Sequence, residues 1–143
     1  MLRKSKTTDA FQVKRKNRMP PFTETHDTLT AVLTDHKLAS LGDAFVNLAY
    51  SLALSNRRGR PSGARVKGSL LAEGLRRAGL RPHVPSRATR HMLADAAEAL
   101  IVYAWLQGCI TLEESAATLE KSEDLAEGLN QLLQKIMRRI RLS

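Results

Sequence analysis

The spacing of apolar residues between positions 36 and 52 predicts a long amphipathic helix. Apolar side chains recur there every three or four residues, which places them on one helical face. This face consists of Leu38, Leu41, Phe45, Leu48 and Leu52. The opposite stripe consists of His36, Ala39, Asp43, Asn47 and Tyr50. We therefore expect the leucine face to be buried and Asp43 to lie at the centre of the polar side.

Other segments carry helix signals of the same kind. Further helices are predicted over residues 25–33, 69–79 and 86–107, from residue 111, and from about residue 122 onward. Gly79 suits a left-handed C-cap, and Ser86 is a candidate N-cap. Thr111 and Glu114 form a capping-box pattern. No segment alternates with a period of two residues, so the predicted fold class is all-α.

Lysine and arginine are concentrated in two blocks of the chain. The net charge is +9 at pH 7. Residues 1–18 contain seven Lys/Arg and one Asp, and residues 56–90 contain ten Lys/Arg and one Glu. The remaining segments are net negative. This distribution favours a polyanionic partner, with nucleic acid ahead of an anionic membrane surface.

The first 22 residues have too few apolar side chains to build a core element, and they end in the stiff sequence Met19-Pro20-Pro21. We therefore divide the chain into a basic extended tail, residues 1–22, and a helical domain, residues 23–143. The single cysteine excludes an internal disulfide and suits a reducing compartment. No apolar run reaches the roughly 18 residues of a membrane span, and no signal-peptide pattern opens the chain. We expect a cytoplasmic protein with no membrane partner.

Two carboxylates, Asp95 and Glu98, interrupt a helix that is otherwise apolar. Unpaired carboxylates are costly to bury, so they need a cation, a metal ion or water. One interpretation pairs them with arginines of the basic loop, residues 56–68. The other is a Mg²⁺ site, completed by Asp43 from a crossing helix, in which water fills the remaining positions. In that site His91 is a hydrogen-bond partner of the acids rather than a metal ligand.

Two segments together resemble the signature sequences of ribonuclease III domains. They are LGDAFV, residues 41–46, and LADAAEALI, residues 93–101, in the family's order and about fifty residues apart. The helix between them, SLLAEGLRRAGL, fits the same pattern. The stretches GRPSGARV and ITLEES resemble the short archaeal branch of the family, which lacks a double-stranded RNA-binding domain.

The resemblance implies a ribonuclease III-like helical domain, usually a homodimer with a cationic valley across both subunits. Active members cleave double-stranded RNA by Mg²⁺-assisted attack of water on a phosphodiester. Asp43, Asp95 and Glu98 match three of the family's metal-binding acids, and Glu98 matches the position most closely tied to catalysis. The family's fourth carboxylate is replaced here by Ala39, and a further upstream acid falls at His36.

Two functions are compatible with these features. The one that the sequence narrowly favours is a structural RNA-binding protein, a component of the large subunit of an archaeal ribosome that binds ribosomal RNA. The basic tail and the missing fourth acid support it. The alternative is a Mg²⁺-dependent endoribonuclease that cleaves double-stranded RNA, which the three retained acids support. The sequence leaves open whether the protein is an enzyme.

Cations of the tail and of the basic loop are the candidate RNA contacts. They would neutralise phosphates without reading the base sequence. The candidates are Arg3, Lys4, Lys6, Lys14, Arg15, Lys16 and Arg18 in the tail, and Arg57, Arg58, Arg60, Arg65 and Lys67 in the loop. With six aromatic residues in the chain, base stacking is not expected to dominate. We expect Tyr103 and Trp105 to pack in the core.

Overall fold

The computed structural model describes residues 20, 22 and 25–142. Within these residues the chain forms six α-helices and one short 3-10 turn, with no strand, as the all-α prediction requires. The helices are α1 (Leu29–Leu33), α2 (His36–Arg58), α3 (Gly68–Arg77), α4 (Arg90–Leu106), α5 (Leu112–Glu120) and α6 (Leu125–Met137), and the 3-10 turn is Arg81–His83. All seven cations of the predicted tail lie outside the described residues, so the tail and its RNA contacts remain predictions.

Local side chains determine where the helices begin. Helix α4 starts later than predicted, because Thr89 rather than Ser86 is its N-cap and accepts a hydrogen bond from the Met92 N–H at 3.2 Å. A turn closed by a hydrogen bond from the Ala88 N–H to the Pro85 carbonyl occupies the segment before it. Helix α5 is capped by Thr111, as predicted from the capping-box pattern.

Helix α4 is the centre of the domain. It lies between α2 and α3, while α5 packs against α2 and α6 packs against α3. From Ala96 to Ala104 every residue except Glu98 is completely buried. A helix that is apolar nearly all round is typical of a buried position, so the surroundings of α4 follow from its sequence. Glu98 is therefore a carboxylate in the middle of the core helix.

The buried face of α2 differs from the predicted leucine face. Leu38 and Phe45 are buried, but Leu41 is 38% exposed and Leu48 is 48% exposed. The buried set is Leu38, Ala39, Gly42, Phe45, Val46, Ala49 and Ala53. The prediction is wrong for Leu41 and Leu48 because small side chains let α2 pack closely on α4. That packing turns part of the predicted polar stripe inward and the two leucines outward.

The two aromatic residues at the end of α4 have different surroundings. Tyr103 is completely buried, as predicted, and its hydroxyl accepts a hydrogen bond from the His26 N–H at 3.1 Å. Trp105 is 40% exposed and packs against Phe45 with ring centroids 5.1 Å apart. The prediction that Trp105 belongs to the core is therefore wrong. Trp105, Leu41 and Leu48 together are the exposed large apolar side chains of α2 and α4.

Gly42 sets the distance between α2 and α4. A Cβ atom at this position would lie 2.1 Å from the carbonyl oxygen of Glu98, well inside van der Waals contact. The glycine is required here by this close approach of two backbones. Because Asp43 is the next residue along α2, the same contact places its carboxylate beside Glu98.

Helix α2 is also long and apolar enough, by length and composition alone, to cross a membrane. Core helices of water-soluble proteins pass the same test. Here the apolar side of α2 packs against α4 and α5, and its other side carries Asp43 and Asn47. Packing within the domain thus accounts for the buried apolar residues of this helix, and Leu41 and Leu48 remain exposed.

We predict that Gly42→Ala lowers the free energy of unfolding by about 3 kcal/mol, because a methyl group overlaps the backbone of α4. Urea denaturation followed by circular dichroism measures this loss. Gly63→Ala is the matched control, because a Cβ there meets no atom within 4 Å. Equal stability of the two variants would contradict the close approach of α2 and α4.

Candidate functional site

The structure brings the three predicted acids into one cavity. Asp43 comes from α2, and Asp95 and Glu98 come from α4. The open cavity between these helices has a volume of about 350 Å³. Its lining residues are His36, Ala39, Ser40, Asp43, Arg65, His91, Asp95 and Glu98. The two signature segments, which lie about fifty residues apart in the sequence, therefore line the same cavity in the fold.

Glu98 lies deepest of the three acids. The residue is only 7% exposed, and within residues 25–142 no side-chain or backbone donor binds its carboxylate and no cation pairs with it. Burial, followed by the hydrogen bond that the protonated Glu98 carboxyl donates to Asp43 and by the negative charges of Asp43 and Asp95, raises the pKa of Glu98 to about 8. Arg65 opposes this shift but does not cancel it. The carboxyl group of Glu98 thus holds its proton near neutral pH.

The other two acids each have one basic side chain within ion-pair distance. The Asp95 carboxylate lies 3.5 Å from Nε2 of His91, whose side chain is mostly exposed. No hydrogen bond joins these two side chains within residues 25–142, so the hydrogen-bond role of His91 stays a prediction. The Asp43 carboxylate lies 3.4 Å from Nη2 of Arg65 and accepts a hydrogen bond from Asn47 Nδ2 at 3.3 Å. Of the three acids, only Asp43 pairs with an arginine of the basic loop, so loop arginines do not compensate Asp95 and Glu98.

The donor set of the cavity suits a hard divalent cation. Carboxylate oxygens are the ligands that Mg²⁺ prefers, and Mg²⁺ keeps water at its remaining positions. Ala39, where the resemblance implies a fourth carboxylate, lines the cavity, so a bound ion would need water in place of that ligand. In the described part of the chain, no group of three His, Cys, Asp or Glu side chains already stands in a metal-coordinating arrangement. The oxygen ligands of the cavity thus suit Mg²⁺. Because they are not already in a coordinating arrangement, binding would require the carboxylates to turn toward the ion.

Asp35, the nearest upstream acid, does not replace the missing ligand. Its carboxylate caps α2 by accepting hydrogen bonds from the Lys37 and Leu38 N–H groups at 3.0 Å. It also contacts Nε2 of His26 at 2.9 Å. Burial raises the pKa of Asp35, but these hydrogen bonds and His26 outweigh burial and leave the pKa below its usual value. Asp35 is thus occupied by helix capping outside the cavity.

Three polar residues on one stripe of α2 hold the basic loop in place. Ser55 accepts from the Ser62 N–H at 2.8 Å and donates to the Ser62 carbonyl at 3.1 Å. Ser51 makes the same reciprocal pair with Ala64, at 3.0 Å and 3.1 Å. Asn47 accepts from the Val66 N–H at 2.7 Å. The four-residue spacing of these side chains was visible in the sequence, but their backbone partners were not.

The predicted RNA contacts of the loop fall into three groups, one of which is Arg65, the partner of Asp43. Arg57 is already engaged, because its Nη2 donates to the carbonyls of Leu119, Glu120 and Ser122 at the end of α5. Its guanidinium therefore satisfies carbonyl groups that the end of a helix leaves without partners. The cations Arg58, Arg60 and Lys67 are exposed, and none of them pairs with an acid within residues 25–142.

A second open cavity adjoins the acidic one and shares His91 with it. It has a volume of about 530 Å³ and lies where α3 and α4 begin. Its lining residues are Lys67, Gly68, Ser69, Thr89, Arg90 and His91. Of these, Arg90 was not among the predicted RNA contacts, because its place beside Lys67 depends on the packing of α3 and α4.

Comparison with known proteins assigns the chain to one family. A family model described as Ribonuclease III matches residues 36–142, which include all seven acid-cavity residues of α2 and α4 and the whole basic loop. No curated protein matches the chain. The match covers most of the chain and confirms the resemblance seen in the two signature segments.

We predict that the stability of the metal-free protein falls as pH rises from about 5 to about 8.5 because of Glu98. Its folded-state pKa lies above its unfolded value, so the folded state binds the proton more tightly. That contribution is complete below the unfolded pKa of 4.5 and is lost as pH rises through about 8. Urea denaturation at several pH values, compared with Glu98→Gln, isolates the effect. Parallel pH profiles of the two proteins would contradict it.

Proposed function

Because the chain belongs to the ribonuclease III family, we propose that it is a Mg²⁺-dependent endoribonuclease that cleaves double-stranded RNA. Family membership supports an RNA-related function, and the choice of an enzyme rests mainly on Glu98. This carboxylate is nine-tenths buried, has no cationic partner within residues 25–142, and shares an open cavity with two more carboxylates. Such an arrangement disfavours the charged form of Glu98 in the empty site, and a bound cation would stabilise that form. In a metal-dependent reaction the Glu98 carboxylate would serve as a metal ligand.

In this proposal Asp43, Asp95 and Glu98 hold the metal ion, and Asn47 orients Asp43. A bound Mg²⁺ would activate a water molecule for attack on the phosphodiester and stabilise the leaving oxygen. Glu98 must lose its proton to serve as a ligand, so metal binding and proton release are coupled. Ala39 leaves room for water where other family members supply a fourth carboxylate.

The exposed cations around the acidic cavity would bind the RNA backbone. Arg58, Arg60 and Lys67 belong to the loop that α2 holds in place, and Arg90 lines the neighbouring cavity with Lys67. These side chains would contact phosphates and so position a duplex without selecting its sequence. Salt would weaken such binding steeply.

A homodimer is part of the same proposal. Leu41, Leu48 and Trp105 form an exposed apolar group on α2 and α4, each between 38% and 48% exposed. Exposed apolar groups of this kind are typical of protein–protein contacts. A second copy of the chain would cover them and extend the cationic surface, as in most members of the family. Sedimentation velocity of Leu48→Glu against the unmodified protein tests the contact.

The second candidate is a structural RNA-binding protein of the large subunit of an archaeal ribosome. The absence of a fourth carboxylate at Ala39 and the basic block in residues 1–18 favour it. Sedimentation of a native cell extract through a salt-washed sucrose gradient separates the two candidates. Co-migration with the large ribosomal subunit supports the structural role, and recovery at the top of the gradient supports a free enzyme. Either protein is expected in the cytoplasm.

We predict that Glu98→Gln lowers Mg²⁺-dependent cleavage of a long RNA duplex by more than about a hundredfold, because the amide carries no negative charge for the metal. A gel-based cleavage assay with a circular dichroism check of folding measures the effect. Glu113→Gln is the matched control, because Glu113 is exposed in the first turn of α5, away from the cavity. Cleavage by Glu98→Gln at the unmodified rate would exclude Glu98 as a catalytic metal ligand.

A further inference from the structure

Arg65 is the one lysine or arginine within ion-pair distance of the acid cluster in the described part of the chain. Its contact with Asp43 is single and long, with 3.4 Å between Nη2 and Oδ2. The Arg65 side chain is 79% exposed. An exposed ion pair with one long contact contributes little to stability, so the guanidinium exchanges this partner readily.

The backbone on both sides of Arg65 is fixed. The Ala64 N–H donates to Ser51 Oγ at 3.0 Å, and the Val66 N–H donates to Asn47 Oδ1 at 2.7 Å. Asn47 also donates to Asp43, so one side chain connects the loop backbone to the acid that Arg65 contacts. The backbone of Arg65 is therefore held in place, while its guanidinium is exposed at the mouth of the cavity.

A divalent cation and the Arg65 guanidinium would compete for the same oxygen. Both are attracted to the Asp43 carboxylate, and two positive groups at one carboxylate repel each other. When the metal ion binds, the guanidinium loses its partner at the place where an RNA phosphate would arrive. Guanidinium groups bind phosphate through several N–H donors, so a phosphate is a suitable new partner.

We propose that Arg65 is an exchangeable counter-cation: it neutralises Asp43 in the metal-free protein, yields this carboxylate to the divalent ion, and then binds a phosphate of the RNA backbone. This role rests on the proposed function and extends it, because it couples metal binding to RNA binding through one side chain. Arg65 is a positioning residue in this scheme, since its metal-free contact is with a proposed ligand and not with the reacting atoms.

The test compares Arg65→Gln with Arg60→Gln in the full chain. Both changes remove one positive charge from the same loop, but Arg60 has no acidic partner within residues 25–142. Mn²⁺ affinity is measured without RNA, by electron paramagnetic resonance of the free ion. We expect Arg65→Gln to bind Mn²⁺ roughly fivefold more tightly than the unmodified protein, on the scale of one surface ion pair. We expect the Mn²⁺ affinity of Arg60→Gln to equal that of the unmodified protein.

Affinity for a short RNA duplex is measured by fluorescence anisotropy in EDTA and again in Ca²⁺. The unmodified protein and Arg60→Gln should gain affinity when Ca²⁺ is added, and Arg65→Gln should gain several-fold less. Unchanged or weaker Mn²⁺ binding by Arg65→Gln would overturn the counter-cation role. An equal gain of RNA affinity in all three proteins would overturn the transfer to phosphate.

The same measurements separate this inference from the proposed function. If neither the unmodified protein nor Arg65→Gln binds Mn²⁺, the metal-dependent function fails and the inference fails with it. If both bind Mn²⁺ with equal affinity and the unmodified protein cleaves RNA, the inference alone fails. If Arg65→Gln binds Mn²⁺ more tightly and the unmodified protein does not cleave duplex RNA, the counter-cation role is supported and the proposed enzymatic function is contradicted.

Discussion

The contact between Gly42 and the backbone of Glu98 is the constraint on which the rest of the site depends. Two helix backbones come into direct contact where one helix lacks a side chain, and Gly42 provides such a point on α2, against the backbone of Glu98. Asp43 follows Gly42 along α2 and therefore lies next to this contact. Asp43 is thereby held beside Glu98, while α4 remains the central helix of the core. The packing of α2 on α4 and the clustering of the acids are both consequences of the contact between Gly42 and the backbone of Glu98.

The cluster sets stability against function. A carboxylate in the core loses hydration, and here the two nearest charged groups are also acids, so the charged form of Glu98 is disfavoured twice. Within residues 25–142 a single exposed arginine pairs with the cluster, and its contact is with Asp43. A site of this kind is stabilised by what it binds. Pre-arranged negative charge is costly for the empty protein and favourable for a cation, which is a common relation between strain and binding at functional sites.

The sequence predicted the helical class and the three acids of the cavity, because a 3.6-residue period and short motifs are local properties. Its errors come from properties that are not local. Leu41 and Leu48 obey the period of a buried face but lie outside, since α2 packs through its small residues. Arg57 looked like the other loop cations, and only the fold places the end of α5 within its reach. Arg90 and the hydrogen-bond partners of Ser51 and Ser55 likewise depend on which elements become neighbours.

The stripe of Asn47, Ser51 and Ser55 ties the length of the loop to the pitch of a helix. The three side chains bind the backbone of every second loop residue, one each at 62, 64 and 66. One helical turn thus matches two extended residues. An insertion or deletion inside this part of the loop would put the wrong backbone groups opposite the stripe. Over evolutionary time, loop length and the residue types at these three helix positions are therefore expected to change together, leaving a covariation signal that comes from contacts of helix side chains with the loop backbone.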